Sequence, residues 1–99
     1  MNTIASAADT LQGCPICGAA VTRDQRYPTK LCGECMDLAS DSSGRGLEFS
    51  NIDATGGFQA SYRDTGRPYH DHVCFVRGVR CCADEAHFGG IVIQPIKVA

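Results

Sequence analysis

Tryptophan is absent from the chain, and the side chains that build cores are scarce. Leu, Ile, Val and Phe together number 20 of 99 residues, the lower end for a chain that folds around a core of its own. One small domain is expected, because two independent cores would each be too thin. No apolar run approaches the length of roughly 20 residues that a helix needs to span a bilayer. Positive charge is not in excess either: nine Lys and Arg stand against eleven Asp and Glu, a formal charge of −2. That balance excludes a polybasic nucleic-acid binder and leaves room only for a local basic patch. Residues 1–9 lack the basic and apolar segments of a secretory signal.

Cysteine, by contrast, is plentiful, with seven in the chain. An odd number cannot pair completely into disulfides. The missing export signal, the odd number and the spacing of the cysteines together point to a reducing cytoplasm and metal-bound thiolates. Residues 1–12 read as a flexible tail. Residues 13–41 carry two cysteine pairs. A breaker cluster from Ser40 to Gly46 then leads into residues 47–99, which read as short strands and tight turns.

Residues 19–23 and 27–31 suit a hairpin around Asp24-Gln25-Arg26, and residues 35–40 suit a short helix stopped by Gly44. Further on, residues 47–52 and 58–62 alternate as half-buried strands, and residues 64–68 have turn chemistry. Residues 73–76 and 79–82 form a predicted hairpin about Arg77-Gly78. Residues 84–88 suggest one helical turn before Gly89-Gly90, and residues 91–93 a buried strand that Pro95 ends.

The strongest motif is Cys14-Pro15-Ile16-Cys17-Gly18, then Cys32-Gly33-Glu34-Cys35, with fourteen residues between the pairs. A Cys-x-x-Cys loop turns sharply enough to aim two sulfurs at one centre. Two such loops supply the four soft thiolates that tetrahedral zinc accepts. Gly18 suits the positive φ of a knuckle turn, and Pro15 stiffens the loop in advance of metal.

These residues resemble the treble-clef and zinc-ribbon group of zinc fingers. Cys14-Pro15-Ile16-Cys17-Gly18 looks like their zinc knuckle. Leu31-Cys32-Gly33-Glu34-Cys35-Met36 looks like the second pair of a treble clef, which sits at a helix start where free N–H groups favour thiolates. A ribbon would carry Gly where Met36 stands. The resemblance covers residues 13–41 and implies one structural Zn²⁺ on Cys14, Cys17, Cys32 and Cys35, in a closed shell without a position for water. Rubredoxin-like iron and a thiol oxidoreductase built on the Cys-Pro-x-Cys loop are the competing readings. The second lacks its βαβ setting. Four thiolate charges against the ion's +2 leave −2, which takes the formal total from −2 to −4.

Weaker constellations remain. Arg23, Arg26 and Lys30 could grip phosphate beside the zinc, with Tyr27 stacking on a base; the plainer reading is a solvated loop. His70, His72 and Cys74 alternate at period two, and Cys81 faces Cys74 across the predicted hairpin, so a second metal site is conceivable. The alternative is two small core cysteines with histidines at a wet strand end. Cys81, Cys82 or His87 could serve thiol chemistry. Asp64-Thr65-Gly66 resembles the aspartic-protease triplet, but Arg63 and Arg67-Pro68 flank it and a turn is expected.

The expected protein is a small α+β domain, a treble-clef-like zinc finger packed on a short-stranded antiparallel β unit with which it shares one core. Its expected role is non-enzymatic: structural zinc holds a surface for a protein partner, with no membrane and no small-molecule substrate. Nucleic acid is the second partner class and a thiol-dependent enzyme the third reading.

Overall fold

Reversal of the chain at the first cysteine pair sets the amino-terminal architecture. In the computed structural model, which describes residues 11–86 and 89–96, β1 (Leu11–Gly13) and β2 (Ala20–Thr22) pair antiparallel, with Leu11 opposite Thr22. The loop between them is closed by Cys14 N–H to the Ala19 carbonyl and Gly18 N–H to the Cys14 carbonyl, both 2.8 Å. Gly18 takes φ 81°, a conformation that costs glycine nothing. Leu11 and Gln12, assigned by sequence to the tail, thus belong to a strand.

This pairing corrects the hairpin expected between residues 19–23 and 27–31. The knuckle itself returns the chain, so β2 already has a partner. Residues 24–30 instead form a loop organised by Gln12. Its Nε2 donates to the Tyr27 carbonyl, and its Oε1 accepts from Asp24 N–H, both at 3.0 Å. Past the loop, Leu31 N–H donates to the Ile93 carbonyl at 2.9 Å, and the Thr29 hydroxyl to Gln94 Oε1 at 2.9 Å.

Helix α1 (Gly33–Met36) is a single turn that begins after Cys32, whose backbone is extended at ψ 165°. It starts two residues before the predicted helix and ends sooner. The reason is tertiary. Ser40 exchanges two 2.9 Å backbone bonds with Phe75, and Leu47 N–H donates to the Ala39 carbonyl, so residues 39–40 are drawn into extended pairing before a second turn can form.

Five further strands follow in two groups. β3 (Leu47–Ser50) and β4 (Gln59–Tyr62) form a hairpin with Leu47 opposite Tyr62. β5 (Val73–Val76) and β6 (Val79–Glu85) are joined at Arg77 and Gly78, with φ 49° and 81°. Two positive φ values give the primed turn that matches strand twist. β7 (Ile91–Pro95) completes a sheet of order β5-β6-β7. β6 runs through Asp84 and Glu85, which lie opposite Val92 and Ile91. The helical turn expected at 84–88 is therefore strand as far as Glu85, since β7 supplies a ladder. His87 and Phe88 lie outside the described residues.

A single cluster of buried residues runs through both regions. Leu31, Cys35 and Ala39 from the first meet Leu47, Val76 and Ile93 from the second. The three-stranded sheet contributes alternate positions, so that Cys74 and Val76 point inward from β5, and Cys81 and Ala83 from β6.

Candidate metal centre

The cluster's amino-terminal end is made of sulfur. Cys14 and Cys17 lie on the β1–β2 loop, Cys32 precedes α1 and Cys35 lies within it. Their four Sγ atoms all fall within 4.8 Å of one another. Cys17 Sγ and Cys32 Sγ are 3.6 Å apart, far beyond the roughly 2.05 Å of a disulfide. Sulfurs held at about 2.3 Å from a tetrahedral metal would be about 3.8 Å from each other. The donor set and its spacing therefore fit one metal ion with four thiolate ligands.

Electrostatics point the same way. Burial works against ionising Cys14, but backbone N–H groups of Cys17, Cys32 and Ile16, aided by the Cys17 thiol, outweigh it and hold Cys14 down at about 6. At Cys35 burial comes first and the sulfurs of Cys17, Cys32 and Cys14 add to it, pushing that thiol up to about 12. Without a cation the group cannot carry four negative charges. A divalent ion would remove that obstacle and deprotonate the ligands. Three of the sulfurs are sequestered: Cys14, Cys32 and Cys35 are 3%, 8% and 1% exposed. Cys17 is exposed.

The second constellation does not assemble. Among the described residues, the four cysteines above are the one group of His, Cys, Asp and Glu whose ligand atoms gather. Cys74 and Cys81 are opposite each other and fully buried. β5, however, starts at Val73, so His70 and His72 precede the strand and the period-two argument does not reach them. His72 instead stacks on Phe58, 4.0 Å between ring centres, and its Nδ1 lies 2.7 Å from the Ala83 carbonyl. His70 is exposed. Burial pushes Cys74 up to about 12, with Cys81 and Cys82 adding to it. Burial likewise leads the upward shifts of Cys81 and Cys82. Such thiols stay protonated at neutral pH and are weak nucleophiles.

The basic residues sit on the loop rather than on a hairpin. Lys30 Nζ lies 4.0 Å from Asp24, and Arg26 N–H donates to Asp24 Oδ1 at 2.9 Å. Tyr27 is half-buried, while Arg23 and Arg26 are exposed. Asp64 is on an exposed turn, 3.0 Å from Arg45 Nη2, in the role expected of turn residues.

Two organising residues escaped the sequence reading. Gln12 holds the 24–30 loop, and no local pattern marks a glutamine for that task. Asp41 accepts from Ser43 N–H, the Ser43 hydroxyl, Arg45 N–H and the Tyr62 hydroxyl. The first of these is an Asx turn that Asp41-Ser42-Ser43-Gly44 could have announced. No helix among the described residues is long and apolar enough to cross a membrane. Comparison with protein-family models, with curated proteins and with solved structures finds no match for the chain.

Proposed function

We propose that the protein is a non-enzymatic binding module whose shape is held by one structural Zn²⁺ on Cys14, Cys17, Cys32 and Cys35. The observation that carries this reading is the convergence of four sulfurs from two separate Cys-x-x-Cys loops. Zinc suits an all-thiolate set, and with four protein ligands it has no position left for water, so its work is structural. A knuckle on a hairpin loop followed by a helix that opens at the second pair supports a treble-clef-like description of residues 13–41.

Protein is the favoured partner class. The net charge is negative, with nine Lys and Arg against eleven Asp and Glu. Beyond Leu47 and Ile93, whose outward backbone groups already bond Ala39 and Leu31, β3 and β7 also offer short stretches of edge for an extended peptide. The bond from Arg63 N–H to the Gly46 carbonyl fixes the alternation of the β3–β4 ladder, which turns the backbone of Phe49 away from β4. Between the edges lies a cavity of about 210 Å³ lined by Met36, Phe49, Arg63, Ile91 and Ile93.

Native mass spectrometry of untagged protein is the direct test: one zinc per chain supports the reading, and none overturns it. Strongly salt-dependent retention on a nucleic-acid column would move nucleic acid ahead of protein. Rapid alkylation of a single thiol in zinc-loaded protein would favour thiol chemistry.

A further inference from the structure

The seven thiols differ sharply in access. Cys74 and Cys81 are fully buried in the sheet. Cys82 is half-buried on the opposite face of β6. Within the metal cluster three sulfurs are covered, and Cys17 alone is exposed. Cys32 Sγ lies 3.6 Å from its Sγ, on a residue that is 8% exposed. A metal-bound thiolate is deprotonated and so keeps a nucleophilic lone pair. One reachable thiolate beside a second, covered one is the arrangement in which a first oxidation is captured as a disulfide before it goes further.

We propose that Cys17 is an oxidation site for hydrogen peroxide, and that closure of a Cys17–Cys32 disulfide expels the metal. The proposal rests on the zinc reading above. In the first step the Cys17 thiolate attacks one peroxide oxygen. An S–O bond forms, the O–O bond breaks, and hydroxide leaves and takes a proton from solvent. In the second step the Cys32 thiolate attacks the Cys17 sulfur. The S–S bond forms, the S–O bond breaks, and a second hydroxide leaves. Two thiolates are oxidised by two electrons in all, and one peroxide is reduced to two waters. Cys14 and Cys35 are left as the only two ligands, too few to retain zinc against a chelator.

The test uses the full chain with its zinc content measured first. Peroxide is added in the presence of a chromogenic zinc chelator, and disulfides are mapped by peptide mass spectrometry. The expected result is one zinc released per Cys17–Cys32 linkage formed. Cys17→His keeps a fourth ligand without the oxidisable sulfur and is expected to hold zinc and slow release about tenfold or more. Cys82→Ala is expected to release zinc at the parent rate. Release without that linkage, a linkage that omits Cys17, or undiminished release from Cys17→His overturns the proposal. Should Cys17→His fail to fold, the mapped linkage in the parent chain still decides. A chain that carries zinc but keeps it under peroxide defeats this proposal alone, whereas a chain with no zinc at the outset defeats the zinc reading and this proposal together.

Discussion

The sulfurs of the amino-terminal knuckle and those of the three-stranded sheet are equally characteristic of a cysteine-rich chain, yet they sit in opposite environments. Around Cys14 the backbone N–H groups of Ile16, Cys17 and Cys32 favour the thiolate strongly enough to overcome burial. Around Cys74 burial dominates, and the thiol is pushed up to about 12. Both regions bring cysteines face to face. Only the first brings four together with donors aimed at them. The contrast teaches that cross-strand alignment packs sulfur, whereas paired tight loops ionise one sulfur, Cys14, and leave another, Cys35, protonated at about 12 for want of a cation.

The largest expected break in this contrast comes from removing the metal. The zinc proposed for this site would contribute on the order of 10 kcal/mol to folding, alongside a thin core. Chelation, or Cys35→Ser, is therefore expected to unfold the chain, measured as loss of the sheet's circular dichroism. A stripped protein that keeps its full fold would place stability in the sheet instead.

Next in size is the junction of the regions. Leu47 is fully buried, and its N–H bonds to the Ala39 carbonyl. Leu47→Ala is expected to cost about 2–5 kcal/mol, with zinc stoichiometry unchanged under conditions where the variant is folded. Chemical denaturation of the zinc-loaded forms measures this.

Cys74→Ala sharpens the comparison from the sheet's side. It removes one small buried sulfur and is expected to cost about 1 kcal/mol, again with one zinc retained. It also carries a pH signature. The folded thiol is held at about 12, above its ordinary value of 9.0, so the native state keeps a proton that the unfolded chain releases. The resulting stability is present below about pH 9 and lost as pH rises toward 12. The alkaline fall in melting temperature is expected to be shallower in Cys74→Ala.

The smallest effect is expected at the loop. The Lys30–Asp24 pair is 4.0 Å long and partly solvated, so Lys30→Ala is expected to change stability by less than about 1 kcal/mol. It is also expected to leave any weak retention on a nucleic-acid column unaltered. A marked loss of retention would raise the basic loop from surface to interface.

Much of the candidate site was legible because its determinants are close in sequence. Each Cys-x-x-Cys loop folds on itself, Gly18 marks the knuckle, and Arg77-Gly78 marks the hairpin turn between β5 and β6. Misreadings arose where two elements competed for one partner. Ala20–Thr22 could pair forward or backward by alternation, and the closing bond from Cys14 to Ala19 selects backward. His70, His72 and Cys74 share a parity that means nothing until a strand spans all three. Asp84 and Glu85 read as helix formers, but a neighbouring ladder at Ile91 and Val92 outweighs that local preference.

By itself the sequence determined the four sulfur donors, the turns and the alternation of most strands, since each depends on a few adjacent residues and their backbone preferences. The tertiary structure alone decided that the two loops converge within 4.8 Å, that Leu31 docks on Ile93, and that Cys17 remains open to solvent while its three companions are covered. Those outcomes depend on which distant segments exclude water from each other, and no local spacing encodes that choice.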